Sequence, residues 1–390
     1  MNNDIPQGYK DSPLGVIPQE WEVKRLGEVC SRIGDGIHGT PKYVHNSDYI
    51  FINGNNLVAG KIKVGDDAKF VSKEEYEQNN KDLDDKTILL SINGTIGNIA
   101  LYSGEKVMLG KSAAYLKFKN NVTFYFQLLQ GKKIQSSFTK ELSGSTIKNL
   151  SLKSIRETSF PLPPLPEQQR IAEVLGTWDV AIEKQGALVD KLTERKRALM
   201  QQLLTAKKRL PNFSEPWETV RLGDLAEIKT GKLDANSAEE NGIYPFFTCG
   251  KTPFKINSFA FDVDAILVAG NGEYLGYVHH YKGKFNAYQR TYVIWGFKED
   301  ISFIKYYLMQ FLPARITKTK SKGNTPYIVL STLFDMAISL PTLPEQTAIA
   351  QILTTADREI EGAKAKLESL RSQKRGLMQQ LLSGKKRIKI

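Results

Sequence analysis

Six glycine-marked stretches of this chain carry the residue types that can read a nucleic acid. In the first half they are Arg32–Lys42 (RIGDGIHGTPK), Asn93–Asn98 (NGTIGN) and Ser143–Lys148 (SGSTIK). In the second half they are Lys229–Lys232 (KTGK), Asn271–Tyr274 (NGEY) and Lys318–Tyr327 (KTKSKGNTPY). Small residues allow close approach, amides and hydroxyls match base edges, and Lys or Arg neutralise phosphates. The candidate contacts of the first half are Arg32, His38, Thr40, Lys42, Asn93, Thr95, Asn98, Ser145, Thr146 and Lys148. Those of the second are Lys229, Lys232, Asn271, Tyr274, Lys318, Lys320, Lys322, Asn324, Thr325 and Tyr327, with Arg315 adding a nearby positive charge. Gln289 and Arg290 join them, since an amide can read adenine bidentately and a guanidinium can read guanine. For any single side chain the competing reading is an ordinary solvated turn.

Catalytic residue types are present, but not at catalytic spacings. GEKVMLGKS (Gly104–Ser112) has five residues between its glycines, where a phosphate cradle needs four. His38, His45, His279 and His280 form no HExxH, and adjacent His279 and His280 would face opposite sides of a strand. No G-x-S-x-G occurs, no G-x-G-x-x-G follows a strand, and no Asn/Asp-Pro-Pro-aromatic run is present to hold a flipped adenine. Cys30 and Cys249 lack CxxC partners and read as free thiols of a reducing compartment, a disulfide being the alternative. We therefore expect no metal, and recognition without catalysis.

The bulk composition agrees. A formal net charge of +12 over 390 residues favours polyanionic partners, and 390 residues exceed one compact core. No stretch approaches the ~18 consecutive apolar residues of a membrane helix. The opening MNNDIPQGYKDS lacks the layout of a secretory signal. The expectation is a soluble intracellular protein with no membrane contact, for which nucleic acid is the commonest polyanionic partner.

These loops must be positioned by something, and the chain repeats itself. PEQQRIAEVLGTWDVAIEKQGALVDKLTERKRALMQQLLTAKKR (166–209) aligns without a gap on PEQTAIAQILTTADREIEGAKAKLESLRSQKRGLMQQLLSGKKR (344–387), at an offset of 178. WEVKRLGEV at Trp21 matches WETVRLGDL at Trp217 at an offset of 196, so the first copy carries about eighteen extra residues between Cys30 and Asp85. Each repeated segment reads as a long helix. Ile171, Leu175, Trp178, Ile182, Gln185, Val189, Leu192, Lys196, Leu199 and Leu203 step by four and three. Ile349, Leu353, Ala356, Ile360, Ala363, Leu367, Leu370, Lys374, Leu377 and Leu381 do the same. Pro166 and Pro344 suit first helical positions, and Glu167 and Glu345 favour the positive end of the dipole. At 1.5 Å per residue such helices are about 60 Å long. Lys196 and Lys374 on the seams read as snorkelling stems at a fraying end.

Burying two such seams predicts an antiparallel helix pair, with the chain's two ends near each other. The globular parts mix β-rich runs such as TILLSING (Thr87–Gly94) and AILVAGNG (Ala265–Gly272) with short helices near Thr123 and Ser302. The fold class is α+β, with a pseudo-two-fold internal repeat of largely antiparallel or mixed sheets. The boundaries are 1–157 for a first recognition domain, 158–209 for a central spacer helix, 210–335 for a second recognition domain, and 336–390 for a C-terminal spacer helix.

YKDSPLGVIPQEWEVKRLGEV, PLPPLPEQQRIAEVL and the helix ending in LMQQLL, repeated as FSEPWETVRLGDLAEI and LPTLPEQTAIAQIL, resemble the specificity subunits of type I restriction–modification systems. The resemblance spans essentially the whole chain. It implies two target-recognition domains on a coiled-coil spacer, reading a bipartite, asymmetric site in double-stranded DNA. It also implies two adenine-N6 methyltransferase subunits as partners, using S-adenosylmethionine, and restriction/translocase subunits using ATP and Mg2+. The setting it implies is cytoplasmic and DNA-associated. Methyltransferase contacts would lie on outward helix faces such as Glu167, Gln168, Arg170, Glu345 and Gln346. Two alternatives stay open. One is a stand-alone two-headed DNA-binding scaffold, the other a self-sufficient enzyme, which the missing motifs disfavour.

Overall fold

A computed structural model of the chain describes residues 5–140, 149–319 and 326–388. It divides into two units, Met1–Gln185 with Lys366–Ile390, and Gly186–Ala365. Each has its own apolar core, and each is described by itself.

In the first unit the strands Ile99–Leu101, Thr87–Ser91, Ala113–Phe118 and Cys30–Asp35 lie side by side in that order, all antiparallel. All five residues of Thr87–Ser91 are buried, because this central strand is covered on both faces. Leu90, Leu116 and Ile33 pack on one side against the helix Val122–Gln130, whose Phe124, Tyr125, Leu128 and Leu129 recur at helical spacing. Leu89 and Tyr115 pack on the other, against Ile52, Leu57 and Leu109. That second layer is a mixed sheet of Val107–Leu109, Tyr49–Ile52, Lys69–Val71 and Tyr43–Val44. Three of its strands, Tyr43–Val44, Tyr49–Ile52 and Lys69–Val71, come from the region where the sequence carries its extra residues.

The second unit has one six-stranded sheet, in the order Glu227–Thr230, Thr291–Trp295, Phe261–Ala269, Val278–Ala287, Tyr244–Phe247 and Phe254–Ile256. The pairing of Tyr244–Phe247 with Val278–Ala287 is parallel, and the others are antiparallel. Ile266, Val268 and Ile294 pack against the helix Ile301–Thr319 through Phe303, Tyr307 and Leu308. This helix is longer than the short run expected, continuing through Pro313.

The two repeated segments are helices of 39 residues each, Leu165–Leu203 and Leu343–Leu381. Every seam residue read from the 4–3 spacing is buried or half-buried. The pairing is antiparallel in both units. In the first, Glu167 and Asp179 of the central helix meet Arg387 and Lys374; in the second, Lys196 and Arg209 meet Asp357 and Glu345. The chain's two end regions also meet as expected, the Tyr9 hydroxyl donating to the Gly384 carbonyl at 2.9 Å.

Lys196 and Lys374 do not snorkel. The Lys374 ammonium is 2.6 Å from Asp179, which also accepts from Gln127 Nε2 at 2.6 Å. The Lys196 ammonium is 2.5 Å from Asp357, which also accepts from the Tyr306 hydroxyl at 2.6 Å. Burial and the neighbouring Asp357 carboxylate push the Tyr306 hydroxyl far above its ordinary range, so it stays a donor.

The acidic residues at the helix starts face inward too. Glu167 is fully buried and takes the Arg387 guanidinium on both oxygens (Nε 2.7 Å, Nη2 2.9 Å) and the Trp21 indole N–H at 2.9 Å. Glu345, 1% exposed, takes Arg209 (Nε and Nη2 both 2.8 Å) and the Trp217 indole at 3.2 Å. Gln168 and Gln346 donate to the carbonyls of Pro163 (2.8 Å) and Pro341 (3.0 Å), fixing the entry into each helix. The expected outward presentation of Glu167, Gln168, Glu345 and Gln346 is therefore wrong: a carboxylate between an indole and a guanidinium is sequestered by its own unit. Arg170 does face outward, beside Glu173 at 2.5 Å.

Candidate nucleic-acid interface

Sheet register gathers most of the predicted loops at one end of each unit. In the first unit Asp35 pairs with Ala114 and Ser91 with Ala113. The stretches following Asp35 and Ser91, and the turn preceding Ala113, therefore emerge side by side. In the second unit Thr230 pairs with Tyr292 and Ala269 with Thr291, so the stretches after Thr230 and Ala269 emerge beside the turn preceding Thr291.

The same backbone bonds fix this edge twice. Ile92 N donates to Ser112 O at 3.0 Å, as Gly270 N donates to Arg290 O at 2.9 Å. Gly36 N donates to Ala113 O at 3.2 Å, and Gly231 N to Thr291 O at 3.1 Å. Asn93 bridges Asn149 as Asn271 bridges Tyr327, which brings the chain flanking the third loop of each unit onto the second. Gly36 and Gly231 are required by close approach. A Cβ on Gly36 would stand 2.0 Å from the Leu109 carbonyl oxygen, and one on Gly231 1.9 Å from that of Ala287.

Among the predicted contacts, Thr40, Lys42 and Lys232 are exposed on the first loops, and Lys318 is exposed near the end of the helix Ile301–Thr319. His38 is exposed and bonds Asp35 at 2.9 Å. Arg290 is exposed, its guanidinium 5.9 Å from the Tyr327 ring centre, so a cation and an aromatic face stand together. Asn93, Asn271 and Tyr274 are half-buried on the second loops, and Lys251 lies 4.9 Å over the Tyr274 ring. Lys251 was not singled out in the sequence; only its distant tyrosine marks it.

Other predicted residues are engaged inside their unit. The Thr95 hydroxyl donates to Gly54 O (3.0 Å) and the Asn98 amide to Leu57 O (3.1 Å), fastening the second loop of the first unit. Gln289 donates to Asp234 at 2.7 Å. Arg32 pairs with Lys117 on the neighbouring strand, away from the loop edge, its guanidinium 5.6 Å over Tyr115 and 3.9 Å from Asp82. Lys229 leans back onto Glu227 (3.2 Å) and Trp295 (5.1 Å). Arg315 donates to the Thr332 carbonyl at 2.5 Å. Ser145, Thr146, Lys148, Lys320, Lys322, Asn324 and Thr325 lie outside the described residues.

The second-unit histidines and the buried cysteine stand apart from one another. His279 and His280 do face opposite sides of their strand. His279 bonds Gly250 O at 2.9 Å, burial pushing its pKa below the ordinary range, whereas His280 pairs with Asp264 at 2.7 Å. Burial pushes the Cys30 thiol up to about 12. Among the described residues no group of three or more His, Cys, Asp or Glu could hold a metal ion, and no helix is long and apolar enough to cross a membrane.

The family model for the type I restriction modification DNA specificity domain matches residues 18–191 and again 214–371. A type I restriction enzyme EcoDI specificity subunit from Escherichia coli is 45% identical over 154 residues, 40% of this chain and 34% of that protein. The MjaVIII specificity subunit from Methanocaldococcus jannaschii is 26% identical over 422 residues, 98% of this chain and 97% of its own. Among solved structures, a type I restriction–modification S subunit from M. genitalium superposes with a TM-score of 0.62 at 17% identity, covering 98% of this chain and 97% of that one. A second, from work on assembly and conformational transition of the type I R-M system, has a TM-score of 0.57 at 18% identity, covering 94% and 99%. These likenesses fit the α+β units, the internal repeat and the long helix pair.

Proposed function

Because the chain belongs to the type I restriction modification DNA specificity family, we propose that it is the sequence-reading, non-catalytic subunit of such a system. Each unit reads one half of a bipartite site in double-stranded DNA with its loop edge. The two edges differ in their residues, so the halves differ and the site is asymmetric. The observation that carries this reading is the repeated edge itself: one backbone framework, held by equivalent hydrogen bonds, presents different polar and basic side chains in the two units.

Chemistry on the DNA belongs to partners in this reading. Two adenine methyltransferase subunits would transfer the methyl group of S-adenosylmethionine, and restriction/translocase subunits would use ATP and Mg2+ to move and cut DNA. The chain supplies position, consistent with residues whose spacing suits no catalytic step. Of the helix-face contacts expected for the methyltransferase, Arg170 keeps that role, while the buried Glu167 and Glu345 shape the surface from beneath. The setting is the cytoplasm, where the chromosome and the partners are.

Co-expression with its methyltransferase partner tests this. A stable complex, together with N6-methyladenine in host DNA at one split sequence of two unlike halves, is the expected result. A chain that binds DNA as a monomer and never retains a methyltransferase would establish the scaffold alternative instead. Methylation or cleavage by the purified chain alone would show an enzyme.

A further inference from the structure

The turn that precedes the strand Ala113–Phe118 occupies the same place as the turn that precedes Thr291–Trp295. Gly110 is bridged to Ile37, and Tyr288 to Leu233. Ala113 N closes the first turn onto Gly110 O at 3.0 Å, and Thr291 N the second onto Tyr288 O at 2.8 Å. Behind the turns stand the glycine approaches at Gly36 and Gly231, against the carbonyls of Leu109 and Ala287. Within the turns, Leu109, Gly110 and Ala113 are related to Ala287, Tyr288 and Thr291 by the helix repeat's offset of 178. The tips are Lys111–Ser112 in the first unit and Gln289–Arg290 in the second.

Within the first tip the two side chains divide sharply. Ser112 is spent on its own unit, its hydroxyl accepting from Gly54 N at 2.9 Å and donating to Asn53 Oδ1 at 2.9 Å. Lys111 is exposed and, among the described residues, has no ion pair or side-chain hydrogen bond. It stands between the stretch that follows Asp35 and the one that follows Ser91, the middle of the loop edge. In the second tip Gln289 is held by Asp234, which leaves Arg290 as the free cation. Among the described residues, each of these turns thus carries an exposed cation with no ion pair, Lys111 in the first unit and Arg290 in the second, the latter beside the Tyr327 ring.

We infer that Lys111 is a specificity-determining residue of the first unit, donating from its ammonium to O6 and N7 of a guanine in the major groove. In the second unit Arg290, one residue on from the position that matches Lys111, makes the guanine contact. The inference rests on the DNA-reading function proposed above. A lysine aimed at a guanine edge contributes sequence discrimination, whereas one resting on phosphate would contribute affinity at every sequence.

The test uses the complex of the full chain with its methyltransferase, expressed in a host lacking other adenine methylation, with methylated adenines mapped across the chromosome. Lys111→Gln should lose its preference for a G·C pair at one position, by about tenfold to a hundredfold. The rest of that half-site, the other half-site and the spacing should be unchanged, and their survival shows that the variant is folded. Lys111→Arg should keep the G·C preference, and Arg290→Ala should relax one position in the opposite half. An unchanged motif in Lys111→Gln, or uniform weakening at all sites with the motif intact, would overturn the inference while leaving the functional reading in place. If the unaltered complex leaves no split motif, the functional reading itself fails and the inference falls with it.

Discussion

Replacing Glu167 by glutamine should destabilise the first unit by about 3 kcal/mol. The magnitude follows from what the carboxylate holds. It is 0% exposed and takes two guanidinium hydrogen bonds from Arg387 and one from the Trp21 indole, which is itself fully buried. Breaking a buried ion pair by removing one partner costs about 3–5 kcal/mol. The Arg387 side chain is 32% exposed and keeps Glu20 at 2.7 Å, so part of its charge is recovered by water and by that second carboxylate. The amide oxygen of the variant can still accept from the indole. Both effects place the loss at the low end of the range. With a urea slope of about 2 kcal/mol per molar for a unit of this size, the midpoint should fall by about 1.5 M. The midpoint is read from hydrogen exchange of first-unit amides, because the chain has two units, each with two tryptophans, and need not unfold in one step. A double-mutant cycle with Arg387→Gln should return a coupling above about 1 kcal/mol. A midpoint shift below about 0.5 M, or a coupling near zero, would refute the account of the buried lock.

Three further outcomes follow from the packing. Asp179→Ala should cost about 3 kcal/mol, because it strands the Lys374 ammonium at 7% exposure, whereas Lys374→Met should cost less than about 1.5 kcal/mol, since Asp179 is 39% exposed and keeps Gln127; urea midpoints rank the two. Gly36→Ala and Gly231→Ala should each cost about 3 kcal/mol, as the new methyl meets a backbone carbonyl that cannot give way; an unchanged melting temperature would show that the approach is looser than described. In the native chain a maleimide should label Cys249 and spare Cys30, whose thiol is buried with its pKa at about 12, and a cognate duplex should slow labelling of Cys249, which sits 3.5 Å from the Arg290 carbonyl at the loop edge. Equal labelling with and without DNA would move the interface elsewhere.

The long helices were legible because their signal is local and repeated: an apolar stripe stepping by four and three survives in both copies. The partners of the polar residues on those helices were not. Lys196 looked like a frayed stem because its carboxylate, Asp357, lies 161 residues away, and Glu167 looked like a first-turn acid because Trp21 and Arg387 are 146 and 220 residues away. Local periodicity cannot price an ion pair that only the tertiary fold brings together. At the loop edge, composition marked Arg290 and Lys42 but set Lys111 aside with the failed phosphate-loop spacing of GEKVMLGKS, and it gains meaning only from its register beside Ser91 and Ile37. Nor does composition show that Thr95 and Asn98 bond Gly54 and Leu57, 41 residues away, and so brace the loop that displays them.

The arginine that closes each unit comes from the end of the other repeat's helix, and this sets a schedule for synthesis. Trp217, Glu345 and Arg209 all lie within the continuous stretch Gly186–Ala365, so the second unit has all three once Glu345 has been made. The first unit has Trp21 and Glu167 early but must wait for Arg387, 220 residues beyond Glu167. At about 5–20 residues per second that is a delay on the order of 10–45 s. Throughout it, the apolar stripe around Ile171 and Leu175 lacks Met378 and Leu381 to cover it. The half made first is the half finished last, and during that interval a ribosome-bound chain offers a long apolar stripe to chaperones and to other nascent chains.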